Sequence, residues 1–296
     1  MARLDAAHGP IEYEVEGEES GTPLVLITGL GAQLVRWSPT LRQALVDRGF
    51  RVIRLDNRDA GLSRHYHEAG RPDLKAVAAA LREGRTPELP YTLGDMADDA
   101  ATLMDALGIA SAHVAGSSMG GFIAQLLAIR HPDRVRSLTL IMTSTGNPEL
   151  PGPPAEVQAM MAARAEPGVS PADQAVANAR LIASPGYPFD EARVRARIAA
   201  EAERGANGDS YLRQRAAIMA GGDRRADLRK LDVPTMVLHG EADLLVRVDA
   251  GRDVAANIPG AELRTFAGMG HEIPEGLVPV IVEAIATVAA RAKEPA

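Results

Sequence analysis

Residues 113–130 read HVAGSSMGGFIAQLLAIR. Within this stretch, Gly116-Ser117-Ser118-Met119-Gly120 fits the pattern Gly-x-Ser-x-Gly, and it lies between a predicted strand and a predicted helix. Glycines are needed two residues to either side of the serine, because side chains there would collide with the backbone of a tight, strained turn. The pattern predicts that Ser118 is a nucleophile held at the edge of a sheet; an ordinary structural loop is the alternative.

Apolar, strand-like runs alternate with helical runs on both sides of this turn. Strands are predicted at 24–28, 51–56, 113–115, 135–142, 235–239 and 263–266. Helices are predicted at 41–48, 100–107, 120–130 and 248–257. This alternation predicts an α/β fold, with right-handed crossovers and a mainly parallel central sheet flanked by helices on both faces.

The segment 144–227 interrupts the alternation. It begins with a Pro/Gly-rich stretch at 147–154 and continues as an Ala/Arg/Glu-rich sequence with helical periodicity. A structureless loop of this length is improbable in a compact domain. We therefore expect a helical cap at 144–227, inserted between a first part of the core at 1–143 and a second part at 228–296.

A serine nucleophile needs a histidine base, and a carboxylate to orient that base. Of the seven histidines, His271 is the best candidate, because it follows the last predicted strand in a Gly-rich loop that could return to the sheet edge. Asp243 follows the preceding strand and is the preferred orienting acid. Its alternatives are Glu241, Asp249 and Glu149.

Acyl transfer to a serine also requires two N–H donors for the developing oxyanion. The residue after the nucleophile supplies one, Met119, and the loop after the first predicted parallel strand supplies the other. In that loop we prefer the N–H of Leu30 to that of Gly31. The charged segment 56–63, DNRDAGLS, is interpreted as structural, with Arg58 bracing adjacent loops through paired hydrogen bonds.

Composition excludes several classes of function. The 296 residues contain no cysteine, which excludes disulfides, thiolate catalysis and Cys-ligated zinc. The formal net charge is −7 and there is no Lys/Arg run, so a nucleic-acid partner is not expected. No apolar run is long enough to cross a membrane, and the acidic first twenty residues do not fit a secretory signal, so the expected location is cytoplasmic.

Four motifs in order make the chain resemble the α/β-hydrolase family: Asp-Asn-Arg-Asp-Ala-Gly-Leu-Ser at 56–63, Gly-Ser-Ser-Met-Gly-Gly at 116–121, His-Gly-Glu-Ala-Asp at 239–243 and Gly-Met-Gly-His at 268–271. Within that family it is most similar to aclacinomycin methylesterase-like serine esterases. The resemblance covers nearly the whole chain outside the expected cap. It implies cofactor-independent hydrolysis of a small-molecule ester, with no metal. One departure is Thr28, where many relatives carry histidine.

Several alternatives to a carboxylesterase remain at this stage. A lactonase, including one that opens a macrocyclic ester, a carbon–carbon bond hydrolase and an aminopeptidase would use the same three side chains. Relatives with an aspartate nucleophile are disfavoured because residue 118 is serine. A hydrolase-like small-molecule receptor is the alternative that is not an enzyme.

Overall fold

The computed structural model describes residues 2–162, 168–205 and 208–292. In these residues the strands are β1 (Ala2–Ala6), β2 (Gly9–Glu16), β3 (Thr22–Ile27), β4 (Phe50–Leu55), β5 (Ala112–Ser117), β6 (Val135–Ile141), β7 (Thr235–Gly240) and β8 (Glu262–Phe266). The α-helices are α1 (Pro39–Val46), α2 (Leu74–Arg82), α3 (Leu93–Ala106), α4 (Met119–Arg130), α5 (Ala155–Ala162), α6 (Pro171–Leu181), α7 (Glu191–Glu203), α8 (Ser210–Ala220), α9 (Arg225–Leu228), α10 (Val248–Asn257) and α11 (Val278–Ala289).

The strands form one eight-stranded sheet in the order β1-β2-β4-β3-β5-β6-β7-β8. The six strands from β4 to β8 in this order are parallel, and β1 and β2 add an antiparallel pair at one edge. The predicted fold class is thus confirmed. The carboxyl ends of parallel strands meet at one edge of a sheet, so the loops after β3, β5, β7 and β8 open on the same side.

Apolar side chains cover both faces of the sheet. On β3, Val25 and Ile27 pack against α3 and α4, whereas Leu24 and Leu26 pack against α1 and α11. This division follows from the two-residue period of a strand, which sends successive side chains to opposite faces. The sheet is therefore a rigid central layer between two apolar cores, and its loops are anchored at both ends.

The residues between β6 and β7, 142–234, are called the insertion below. Helices α5 to α9 lie in it, and its described residues contain no strand. None of the helices in the described ranges is long and apolar enough to cross a membrane.

Two differences from the predicted elements have clear causes. Helix α3 begins at Leu93, earlier than the predicted 100, because Thr92 and Asp95 form a reciprocal capping box that starts the helix. The hairpin of β1 and β2 was not predicted. In β2 the apolar residues at 11, 13 and 15 alternate with glutamates, and this strand lies at the antiparallel side of the sheet.

Candidate active site

Ser118 occupies the sharp turn between β5 and α4. Its backbone has φ 54° and ψ −121°, which is unusual for a residue with a side chain. A Cβ atom on Gly116 would collide with the carbonyl group of Gly120, and one on Gly120 would collide with the carbonyl group of Ile27. The glycines of the motif are therefore required by close backbone contacts, as the sequence predicts.

The turn is fixed from the side of β6. The N–H of Ser118 donates to the carbonyl oxygen of Ile141 at 2.9 Å, and the hydroxyl of Thr143 donates to the carbonyl oxygen of Ser118 at 2.8 Å. On the opposite side, a Cβ atom on Gly29 would lie 3.1 Å from the Cβ and 3.6 Å from the Oγ of Ser118. The hydroxyl of Ser118 thus faces the loop that follows β3, and Gly29 leaves space beside it.

Asp243 and His271 come from the loops after β7 and β8 and form a hydrogen bond of 2.7 Å between Oδ2 and Nδ1. The other carboxylate oxygen of Asp243 accepts the N–H groups of Leu245 at 2.9 Å and Val246 at 2.8 Å. Asp243 is buried and cannot rotate without losing these bonds. A proton on Nδ1 that donates to this carboxylate leaves Nε2 of His271 as the basic nitrogen.

Ser118 and His271 do not form a direct hydrogen bond in the part of the chain that the structure describes. Catalytic hydrogen bonds between a nucleophile and its base are often long before substrate binds. The structure therefore brings together two of the three side chains predicted for catalysis, Asp243 and His271. It places the third, Ser118, on a strained turn at the same edge of the sheet.

Histidine 239 lies next to Asp243 and does not compete for its carboxylate. Burial lowers the pKa of His239, which favours the neutral ring. Its Nε2 is 2.7 Å from the carbonyl oxygen of Val246 and 3.6 Å from Oδ2 of Asp243. The ring thus donates to the loop that holds Asp243, and the sequence, which placed it only in a strand, did not predict this role.

The loop that carries His271 is held by the insertion. Four hydrogen bonds connect them: His271 N–H to Ile182 O at 2.8 Å, Gly270 N–H to Ser184 Oγ at 2.9 Å, Ser184 N–H to Glu272 Oε1 at 3.1 Å and Gly186 N–H to Gly268 O at 2.9 Å. A Cβ atom on Gly270 would collide with the carbonyl group of Ala183. The backbone position of His271 therefore depends on the segment 182–186.

The loop after β3 contains Leu30 and Gly31, the two candidates for the second oxyanion donor, whereas Met119, the first predicted donor, begins α4. The N–H of Gly31 donates to Oε1 of Gln214 at 2.7 Å, so it does not point at the serine. Within the described residues, the N–H groups of Leu30 and Met119 donate to no protein acceptor. The preference for Leu30 over Gly31 as the oxyanion donor stays a prediction. Thr28 braces the loop, because its hydroxyl donates to the carbonyl oxygen of Ala32 at 3.2 Å.

The charged segment 56–63, which follows β4, is bonded to Asp99 and to two arginines of the insertion. Arg58 forms two hydrogen bonds with Asp99 of α3, of 2.6 and 2.8 Å, so it braces the segment through paired hydrogen bonds as predicted, but against a helix and not against an adjacent loop. Two arginines of the insertion bind the same segment: Arg204 lies 2.5 Å from Asp56, and Arg213 lies 2.7 and 2.8 Å from Asp59. The sequence did not predict these contacts with the insertion.

The two buried aspartates of this segment have opposite pKa shifts. Burial raises the pKa of Asp56, although Arg204 and two backbone N–H groups oppose the shift. Burial also disfavours the ionised form of Asp59. Burial is the largest single effect there, but the hydrogen bonds from Arg213, Tyr91 and the N–H of Tyr66, together with the charge of Arg213, outweigh it and hold the pKa of Asp59 below its usual value.

The other carboxylates considered for the orienting role have different partners. The side chain of Glu241 accepts the hydroxyl of Thr265 at 2.7 Å, and Asp249 pairs with Arg252 at 2.8 Å. The third, Glu149, is exposed and lies 3.4 Å from Arg225. Only Asp243 among the four considered carboxylates forms a hydrogen bond with His271.

Known proteins resemble this chain over most of its length. Rhodomycin D methylesterase DnrP from Streptomyces peucetius is 27% identical over 278 residues, which cover 87% of each chain. A putative carbamate hydrolase, RutD from Caulobacter sp. (strain K31), is 30% identical over 265 residues, or 88% of each chain. Both names describe hydrolases that cleave a bond to a carbonyl group.

Solved structures share the fold. The meta-cleavage product hydrolase CumD from Pseudomonas fluorescens IP01 has a TM-score of 0.77 at 21% identity and covers 98% of both chains. The enol-lactonase from Burkholderia xenovorans LB400 has a TM-score of 0.70 at 24% identity, covering 98% of this chain and all of that one. The model of the alpha/beta hydrolase fold family matches residues 22–275. This chain therefore belongs to the α/β-hydrolase fold family of enzymes.

Proposed function

We propose that the protein is a serine hydrolase that cleaves small carboxylic esters through an acyl-enzyme intermediate. Ser118 is the nucleophile, His271 the general base and Asp243 the group that orients it. The observation that carries this proposal is the 2.7 Å hydrogen bond between Asp243 and His271, at the sheet edge where the strained turn presents Ser118. The rhodomycin D methylesterases among its relatives support an ester substrate.

In the first half of the proposed reaction, Oγ of Ser118 attacks the ester carbonyl carbon while Nε2 of His271 takes its proton. The negative charge moves to the carbonyl oxygen, which accepts the N–H groups of Leu30 and Met119. The bond to the leaving alkoxide then breaks as His271 returns the proton to it. The products of this half are an alcohol and an ester of Ser118.

Water completes the reaction. His271 removes a proton from water as its oxygen attacks the acyl carbon, and the same N–H groups stabilise the second oxyanion. Collapse of this intermediate releases the carboxylic acid and returns the proton to Ser118. The carboxylate of Asp243 stays ionised throughout and stabilises the imidazolium that forms twice per turnover.

We also propose that the segment 144–227 acts as a cap that shapes the substrate site. Its contacts with the loops after β3 and β8, through Gln214 and the segment 182–186, support this role. A second candidate substrate is a carbamate, since several relatives are named putative carbamate hydrolases. Attack of Ser118 on the carbonyl carbon of a carbamate ester would break the bond to the alcohol and leave a carbamoyl-enzyme, which water would hydrolyse to a carbamic acid and free Ser118.

The test combines covalent labelling with turnover. A fluorophosphonate should label Ser118 alone, as peptide mapping would show, and the wild type should release 4-nitrophenol repeatedly from short-chain esters. Ser118→Ala should lose both properties, whereas the neighbouring Ser117→Ala should keep them. Labelling of another residue, or equal turnover by Ser118→Ala, would refute the assignment. Binding without turnover of any ester, lactone or carbamate would favour a receptor.

A further inference from the structure

Thr143 follows β6 and contacts the turn that presents Ser118. The side chain of Thr143 is fully buried, and its Oγ1 lies 2.8 Å from the carbonyl oxygen of Ser118. A carbonyl oxygen can only accept a hydrogen bond, so the threonine hydroxyl is the donor. The same carbonyl oxygen also accepts the N–H of Gly121 at 2.9 Å. The serine turn is thus held by a side chain from a neighbouring strand as well as by the backbone of its own helix.

The glycine at 121 makes room for the side chain of Thr143. A Cβ atom on Gly121 would lie 2.5 Å from both Cβ and Oγ1 of Thr143 and 2.7 Å from its Cγ2. Gly121 lies outside the five-residue pattern around the nucleophile, so that pattern alone does not explain it. The close contact with Thr143 supplies the reason for a second glycine in Gly120-Gly121.

The backbone directly before Thr143 is strained. Met142 has φ 42°, in the left-handed region that residues with a side chain rarely adopt. Its N–H still donates to the carbonyl oxygen of Leu238 in β7, at 2.8 Å. Strain of this kind persists where the surrounding structure holds it, and it is concentrated at functional sites. Here the strained residue bends the chain between the end of β6 and the contact of Thr143 with the serine turn.

The carbonyl oxygen that Thr143 binds belongs to the same peptide group as the N–H of Met119, the first proposed oxyanion donor. A peptide group is planar, so fixing its C=O also fixes the direction of its N–H. A hydrogen bond accepted by the C=O polarises the group and strengthens its N–H as a donor. The peptide group that carries the N–H of Leu30 has a comparable bond, since the carbonyl oxygen of Gly29 accepts the N–H of Ala32 at 3.2 Å.

We propose that Thr143 is a positioning residue for the oxyanion site, because its hydroxyl orients and polarises the peptide group that carries the N–H of Met119. This inference rests on the proposed serine hydrolase function. Thr143 does not touch the reacting atoms in this role. Its effect is confined to steps in which negative charge develops on the carbonyl oxygen of the substrate, so it acts on kcat and not on KM.

The test removes the hydroxyl in two ways. Thr143→Val keeps the branched shape, Thr143→Ala leaves space beside the carbonyl oxygen, and Thr143→Ser keeps the hydroxyl. Loss of a whole oxyanion donor costs on the order of 100- to 1000-fold in rate. Here the donor remains but is less well oriented, so Thr143→Val and Thr143→Ala should lower kcat for 4-nitrophenyl butyrate by about 5- to 30-fold, with KM within about twofold. Thr143→Ser should stay within about threefold of the wild type in kcat.

A transition-state analogue separates the strength of the N–H donor from a general structural effect. When an alkyl trifluoromethyl ketone binds, Oγ of Ser118 adds to the ketone carbon, His271 takes the hydroxyl proton and the carbonyl electron pair moves to oxygen. The resulting oxyanion uses the same N–H donors as the ester intermediate. The inhibition constant of the ketone should therefore rise in Thr143→Val and Thr143→Ala by about the factor by which kcat/KM falls. Labelling by a fluorophosphonate should slow as well.

Thr145→Val is the matched control. Thr145 is also fully buried, and its hydroxyl donates to Asp253 of α10 instead of the serine turn. Thr145→Val should lower the thermal midpoint but leave kcat, KM and the inhibition constant of the ketone unchanged. The same kinetics in Thr143→Val and Thr145→Val, or a loss in Thr143→Ala that is confined to KM, would overturn the inference.

The outcomes separate this inference from the proposed function. Turnover that depends on Ser118 but not on the hydroxyl of Thr143 would keep the serine hydrolase and overturn the positioning role. Labelling of Ser118 that is slowed in Thr143→Val and Thr143→Ala, without turnover of any ester, would refute the esterase and keep the positioning role. A wild type that neither hydrolyses an ester nor reacts with the fluorophosphonate or the ketone would refute both.

Discussion

Replacing Arg213 with methionine should destabilise the protein by about 3 kcal/mol, because it leaves the carboxylate of Asp59 buried without its cation. Arg213 belongs to α8 in the insertion, and Asp59 belongs to the segment that follows β4. The substitution keeps most of the apolar volume of the arginine stem and removes the charge. It therefore tests how firmly the insertion is attached to the rest of the chain.

The magnitude follows from the burial and the contacts of the pair. The side chain of Arg213 is 2% exposed and that of Asp59 0%, and two hydrogen bonds of 2.7 and 2.8 Å join them. Removing one partner of a buried pair costs about 3–5 kcal/mol. Tyr91, Ser210 and the N–H of Tyr66 would still donate to Asp59, which places the expected cost at the lower end of this range.

Urea denaturation followed by the fluorescence of Trp37 provides the assay, since this buried side chain is the only tryptophan in the sequence. Arg252→Met is the control, because Arg252 forms an exposed pair with Asp249 that is worth less than about 1 kcal/mol. A loss in Arg213→Met no larger than that of Arg252→Met would refute the reasoning.

The pH dependence adds an independent check. The pKa of Asp59 is lowered in the folded state. The ion pair of Asp59 and Arg213 therefore contributes its full stability at pH values above the pKa of an aspartate in the unfolded chain, about 3.9. That contribution is lost as the pH falls through the lower folded value. In Arg213→Met the pKa of Asp59 should rise, since burial is then opposed by fewer groups. The difference in stability between the two proteins should therefore shrink as the acid protonates Asp59 in the variant.

Three further predictions concern other buried polar groups. Gln214→Leu should lower kcat about tenfold or more with little change in KM, because the N–H of Gly31 loses its acceptor and the oxyanion loop shifts. Ser184→Ala should lower both kcat and stability, the latter by about 1–3 kcal/mol, because the buried N–H of Gly270 is left unpaired. Burial lowers the pKa of His113 to about 4. Between pH 6.5 and 4 this histidine therefore takes up a proton in the unfolded chain but not in the folded one, which should destabilise the wild type by up to about 3 kcal/mol. His113→Gln should lack this loss of stability.

A specific experimental result would contradict each of these three predictions. Gln158→Leu, in an exposed part of the insertion, and Ser20→Ala, in the exposed turn before β3, are the controls for the first two, and equal effects in control and test would count against the assigned contacts. A rise in KM with unchanged kcat would also contradict the role of Gln214. For His113, parallel curves of stability against pH in wild type and variant would show that this ring does not titrate as expected.

The sequence predicts the elements of the parallel sheet because each leaves a local pattern. Short apolar runs bounded by Gly or Pro mark β3 and β7, and the glycines around Ser118 are required by backbone contacts within and next to the turn. The hairpin of β1 and β2 escaped prediction although β2 alternates in polarity. Its glutamates at 14 and 16 pair with Arg54, a buried cation of β4 forty and thirty-eight residues away, and Glu16 also pairs with Arg42 of α1.

The contacts that position the candidate active site could not be predicted in the same way. Ser184 and Gln214 lie in ordinary helical or loop sequence, and their partners are 86 and 183 residues away. Such roles depend on three-dimensional proximity, which has no local signal in the sequence.

The insertion is therefore part of the framework that holds the candidate active site. The loop of His271 loses two N–H acceptors without the segment 182–184, and the loop after β3 loses one without Gln214. Asp59 would keep a buried negative charge without Arg213. Because unsatisfied polar groups and unpaired charges are costly inside a protein, the core and the insertion should unfold together, and a chain shortened by removal of the insertion should lose the geometry of the site along with its substrate specificity.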